Sequence, residues 1–107
     1  MSAVPTHYTN DYTTRIGRKF IEFHNNNLDV YTELVNLAFQ LKRVGYKEYG
    51  IKGLFEVLRW QRSIRTVSSK FKLNNNYTSY YARLIMSRNP GLRGFFRLRE
   101  SSFQEIE

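Results

Sequence analysis

Tyr31, Leu34, Val35, Ala38 and Leu41 recur at i, i+3, i+4, i+7 and i+10. That period holds an apolar stripe on one side of a helix and would scatter it over both faces of a strand. Asp29 suits the positive end of such a helix, Lys42 and Arg43 suit its last turn, and Gly45 suits a left-handed cap. The spacing therefore predicts a helix beginning after Asn27. Three shorter stretches repeat the pattern. Ile16, Phe20 and Phe23 predict a first helix ending near His24, with Thr9, Asn10 and Asp11 as N-cap candidates. Ile51, Leu54, Phe55 and Leu58 predict a third helix over residues 51 to 62, and Tyr77, Tyr81, Leu84 and Ile85 a fourth over 77 to 88.

The breaks between these stretches are rich in asparagine, which competes with the backbone through its own side chain and tolerates turns. Asn25-Asn26-Asn27 should end the first helix, Asn74-Asn75-Asn76 should cap the fourth, and Asn89-Pro90-Gly91 should end it. Tyr46 to Gly50 reads as a connector or a very short strand. Between Ser63 and Leu73, the Ser68-Ser69 pair and the alternation of Lys70 and Lys72 with Phe71 and Leu73 predict a short strand or irregular hairpin. From Arg93 to Arg99, period-two alternation would put Phe96 and Leu98 on one face and Arg93, Phe95, Arg97 and Arg99 on the other. Phe71–Leu73 would pair with Phe95–Arg99. The expected fold is mainly α with a small β element: a four-helix, winged-helix-like single domain over 11–99, with a flexible arm at 1–10 and an acidic tail at 100–107. One feature departs from a plain helix-turn-helix, whose helices are joined by 3–4 residues, because Ser63 to Asn75 intervene here.

Composition limits the rest. A chain of 107 residues forms one domain. At 41% hydrophobic and 16% aromatic it can fill a core, so disorder throughout is excluded. Without cysteine it has no disulfide, thiolate metal site or thiol nucleophile. No apolar run approaches the roughly 20 residues of a membrane span, and Met1–Asn10 lacks the charged-then-apolar order of a signal peptide. The expected location is the cytoplasm.

Charge is regional. Of 17 basic residues, fourteen lie between Lys42 and Arg99, opposed only by Glu48 and Glu56, while the flanking stretches are net acidic and the whole chain carries +8. A concentrated positive field points first to a polyanion, above all nucleic acid. In a winged-helix arrangement a polar-fronted helix enters the major groove and a β wing touches the backbone. Asn74, Asn75, Asn76, Thr78 and Ser79 would then open the recognition helix, asparagine being able to pair with adenine. Arg83 and Arg88 lie further along it, and Tyr80, turned off the apolar side, is the stacking candidate. Arg93, Arg97 and Arg99 would form the wing stripe, with Lys70 and Lys72 adding phosphate contacts.

Each feature also has a plainer reading. The asparagine triplet serves equally as a cap. Tyr77 and Tyr81 read as core, Trp60 as a core anchor with a wet indole N–H, and His24 as a surface or cap histidine. Enzyme signatures are missing. His7 and His24 have no nucleophile or carboxylate in a recognisable pattern, the nine acids are scattered singly, and Gly50, Lys52 and Gly53 do not make a phosphate loop. The expectation is no enzyme, no cofactor and no metal.

Three stretches carry a resemblance. They are Phe20-Ile21-Glu22-Phe23-His24 with Val30-Tyr31, Tyr49-Gly50-Ile51-Lys52 through Arg59-Trp60, and Phe71-Lys72-Leu73-Asn74-Asn75-Asn76-Tyr77 through Tyr80-Tyr81-Ala82-Arg83. The closing Gly94-Phe95-Phe96 with Arg97 or Arg99 fits the same pattern. In these the chain resembles a family of small bacteriophage and bacterial proteins. The resemblance implies a helix-rich phage or mobile-element protein for which DNA binding is one reading, and it supplies no site residues. Two functions compete. The first is a phage DNA-binding regulator or accessory factor, with duplex DNA as the favoured partner. The second is a phage-encoded inhibitor of a host defence or nucleic-acid-processing complex, of the anti-CRISPR type, that binds an acidic protein surface or competes for guide RNA.

Overall fold

In the computed structural model, which describes residues 8–65 and 72–98, the first helix starts later than its sequence suggests. Helix α1 spans Arg15–Asn26, and Thr14 caps it, its side chain accepting from the Gly17 amide at 2.9 Å. The expected cap Asp11 instead turns the chain just before the helix, accepting from the Thr13 amide at 2.9 Å and its hydroxyl at 2.5 Å. Asn25 and Asn26 do not break α1. Asn27 alone does, its side-chain amide donating to the Phe23 carbonyl at 2.9 Å and its backbone N–H to His24.

Helix α2, Leu28–Val44, follows at once, with Asp29 in its first turn. It closes at Gly45, where φ of 126° suits glycine, whose N–H reaches the carbonyls of Leu41 and Lys42. Leu34 and Ala38 of the expected stripe are fully buried, joined by Val30. Helix α3, Ile51–Arg65, buries Ile51, Leu54, Phe55 and Leu58 as their spacing predicts, and runs past Arg62 to Arg65. A 3₁₀ turn, Asn75–Tyr77, leads into α4, Thr78–Arg88. A second 3₁₀ turn, Pro90–Leu92, follows the Asn89-Pro90 break.

The β element expected at the C-terminal end is reduced to a contact. Among the described residues there is no strand. An isolated parallel bridge joins Tyr49 to Phe96, beside a 2.9 Å bond from the Tyr49 amide to the Phe95 carbonyl. Alternation fails because Phe95 and Phe96 are both buried, 2% exposed each, with their rings edge to face at 5.3 Å. The chain enters this segment through Gly94 at φ 79°, and both rings wedge into the core. Lys72 and Leu73 form no strand, and Leu73 is buried. The rest of the expected hairpin, including Lys70 and Phe71, lies outside the described residues, as do Arg99, most of the N-terminal arm and the acidic tail. The arm's last residues are docked: Tyr8 is buried, and its hydroxyl accepts from the Gly94 amide at 2.8 Å.

Helix α4 is the hub. Tyr81, Ala82, Leu84, Ile85 and Met86 are buried, and Arg88 is its one exposed residue. It packs on α2 and α3, and on α1 through Phe20, whose ring meets Tyr81 edge-on at 4.8 Å. The remaining side is covered by the segment before α1. Asn10 donates to the Tyr80 carbonyl at 3.0 Å, and Tyr12 stacks on Tyr80 at 6.4 Å. The described residues form a four-helix, mainly α single domain with α4 near its centre.

Candidate nucleic-acid interface

A recognition helix needs a bare face to enter a groove, and α4 offers none. Several of the residues expected to line that face are engaged locally, although all three asparagines are exposed. Asn74 caps the 3₁₀ turn, accepting from the Asn76 amide at 2.8 Å. The side-chain oxygen of Asn75 accepts from Arg59 at 2.6 Å, and its carbonyl accepts from the Thr78 hydroxyl at 3.0 Å. Asn76 is exposed and Ser79 half-buried. Tyr80 is turned off the Tyr81 side, but that direction holds α1 rather than solvent. Its ring stacks on Phe20 at 5.1 Å and its hydroxyl lies 3.2 Å from that of Thr14. Arg83 is half-buried, and burial lowers its pKa against the opposing pull of Tyr80.

Among the described residues, the expected bases are spread over more than one place. Arg88 lies beside the start of α2, its guanidinium 5.5 Å from the Tyr31 ring centre. Arg93 and Arg97 lie at the other end of α2, where Lys42 donates to the Gly91 carbonyl. Lys72 is exposed next to buried Leu73.

Something else is gathered there. The Lys42–Gly91 bond, the Tyr49–Phe95 bond, the Tyr49–Phe96 bridge and the Arg97–Glu48 ion pair tie three pieces together. These are the last turn of α2, the connector at 45–50 and the segment at 91–97. Lys42, Arg43, Lys47, Arg93 and Arg97 are all exposed at this end, and Lys52 adds a sixth base at the start of α3. Against them stands one carboxylate among the described residues of this end, Glu48, which raises the pKa of Arg97 by accepting its hydrogen bond. Tyr46 projects from the connector 48% exposed, its ring edge-on to Tyr49 at 5.4 Å.

The arginines late in α3 contribute less to the field. Arg62 bonds to Asp29 at 2.6 Å and to Glu33, and Arg65 bonds to Glu33 at 3.0 Å. Burial alone would lower the Arg62 pKa, but these two carboxylates raise it. Arg59 pairs with Glu56 at 2.7 Å.

Two sequence readings need correction. Trp60 is no core anchor, being 64% exposed, like Ile64 one turn later. It stands two residues after buried Leu58, about 200° further round the helix, on the opposite side. His24 is neither surface nor cap. It is 6% exposed, stacked on Phe20 at 5.9 Å and edge-on to Tyr31 at 5.6 Å, and its Nδ1 has no hydrogen-bond partner. Burial holds its pKa below the ordinary value, helped by the charge of Arg88.

Lys42, Arg43, Lys47 and Lys52 escaped the sequence reading. Their signal was present, four bases around the Gly45–Gly50 connector, but Lys42 and Arg43 have a sufficient local role in the last turn of α2. Among the described residues no three His, Asp or Glu side chains converge on a metal position, and no helix is long and apolar enough to cross a membrane. Compared with known proteins, the chain matches no family model, no curated protein and no solved structure.

Proposed function

We propose that the protein binds nucleic acid through the basic end where α2 stops, α3 starts and the 91–97 segment crosses. The observation that carries this reading is the grouping of Lys42, Arg43, Lys47, Lys52, Arg93 and Arg97 at one end, where Glu48 is the one carboxylate among the described residues. Lysine and arginine on an exposed surface neutralise phosphates, and release of condensed counterions supplies the affinity. Exposed Gln40 lies one turn before Arg43 on α2 and is the amide nearest these bases along the helix. The phosphate-holding bases suit an accessory factor as well as a regulator.

The test is binding to labelled DNA across a salt series. If about five phosphates are neutralised on a duplex, log affinity falls against log salt with a slope of about −4 to −5. Arg43→Glu with Lys47→Glu removes two exposed bases and should flatten that slope and weaken binding to every sequence alike. Arg18→Glu with Lys19→Glu, on α1, should leave it unchanged. Salt-independent binding, or equal loss in both double variants, would reject this site.

A second reading, inhibition of a host complex, draws on exposed Trp60 and Ile64, because an exposed tryptophan is a common interface anchor. A stoichiometric protein retained from nuclease-treated host lysate would favour it.

A further inference from the structure

We infer that the nucleic acid is single-stranded, and that its bases stack on Tyr46 and Trp60 along the outer face of α3; this rests on the nucleic-acid reading above. Gly53, Val57, Trp60 and Ile64 recur at i, i+4, i+7 and i+11, one line down the side of α3 turned away from its buried residues. Trp60 and Ile64 are mostly bare, and Val57 and Gly53 are partly so. The line continues into the connector, because the Tyr49 ring lies over Gly53. A Cβ at that glycine would stand 2.9 Å from Tyr49 Cε2. Tyr46 packs in turn on Tyr49. Rings thus stand at both ends of this line, Tyr46 and Tyr49 at one and Trp60 at the other, with about 10 Å of helix between Gly53 and Trp60.

This line begins inside the basic end. Lys47 lies between the two tyrosines in sequence, and Lys52 precedes Gly53. Glu56, one turn before Trp60, has its charge answered by Arg59. Phosphate-holding cations beside exposed rings are what an unpaired strand requires, since each of its bases has a free face to stack. A duplex keeps those faces inside its own stack and gains nothing from an exposed indole. A second copy of the chain would bring another +8 against the same cations.

Trp60 is the one tryptophan of the chain, so its emission reports directly on this face. The full chain is titrated with a short oligothymidylate and with a mixed-sequence duplex of equal length at low salt. Saturable quenching by the single strand, with about tenfold tighter binding than to the duplex, is expected. Read by the anisotropy of a labelled oligothymidylate, Trp60→Ala should cost about tenfold on the single strand and keep the salt slope. Trp60→Phe should recover part of that loss. Circular dichroism confirms the fold of both variants, which remove an exposed ring.

Equal affinity for the duplex with unmoved Trp60 emission would overturn the stacking proposal and leave the basic-end reading standing. No binding to either nucleic acid would overturn both. Concentration-dependent dimerisation abolished by Trp60→Ala, without strand-dependent quenching, would assign the face to a second copy instead.

Discussion

Gly17 and Tyr12 meet backbone to backbone: a Cβ on Gly17 would stand 2.7 Å from the Tyr12 Cα, and closer still to the Asp11 carbonyl oxygen. Neither neighbour is the end of a flexible side chain, and the segment holding them covers α4. Gly17→Ala must push that segment outward. A loss of about 1–3 kcal/mol is expected even though alanine is the better helix former, measured by urea unfolding. An unchanged or raised midpoint would mean that the segment does not sit against α1.

Tyr81 is buried in the middle of the helices, and its hydroxyl has no hydrogen-bond partner. Burial first, then the charge of Asp29, pushes its pKa up. Tyr81→Phe removes an unsatisfied polar group without opening a cavity. The variant should be as stable as the parent or more stable by about 1 kcal/mol. A clear loss in thermal unfolding would show that the hydroxyl is satisfied after all.

His24 gives the fold a pH dependence. Its pKa is lowered in the folded chain, by burial and then by Arg88, so over the interval below about 6.5 the unfolded chain takes up a proton that the folded one refuses. Stability should be full above neutrality and decline as pH falls through that interval. His24→Phe, which keeps an aromatic ring against Phe20, should flatten the curve between pH 7.5 and 5. An equal decline in both proteins would place the effect on other groups.

The two ends of the molecule hold ion pairs of different worth. Arg62 and Glu33 are 18% and 24% exposed and hold α3 against α2. A double-mutant cycle with Arg62→Met and Glu33→Gln should give a coupling of about 1 kcal/mol. Arg97 and Glu48 are 79% and 51% exposed. The same cycle there should show no measurable coupling.

Glu48 matters instead to binding. Glu48→Gln removes the carboxylate that occupies Arg97, the one that the described residues set against the basic end. The variant should melt where the parent does, bind nucleic acid more tightly and show a salt slope steeper by about one. Unchanged affinity would count against this end as the interface.

Local periodicity and breakers made much of the fold legible. The stripe from Tyr31 to Leu41, the cap at Gly45, the buried set of α3 and the stop at Asn89-Pro90 concern residues within a few turns of one another, whose geometry the backbone imposes wherever the helix lies. Regional charge was legible too, because composition does not depend on packing. What neighbours a helix was not. Tyr80 looked exposed by its offset from Tyr81, yet α1 and the chain before it cover that side. Phe95 and Phe96 alternate like a strand, yet both are driven into the core. Trp60 is apolar enough to anchor a core, yet it falls on the side of α3 opposite the buried residues and is 64% exposed. The candidate interface unites the end of α2 with a segment about fifty residues later, through bonds such as Lys42 to Gly91. The sequence determined that there are helices around four apolar stripes and that the charge is concentrated. Only the tertiary packing decided which faces meet water, because that depends on contacts between residues far apart along the chain.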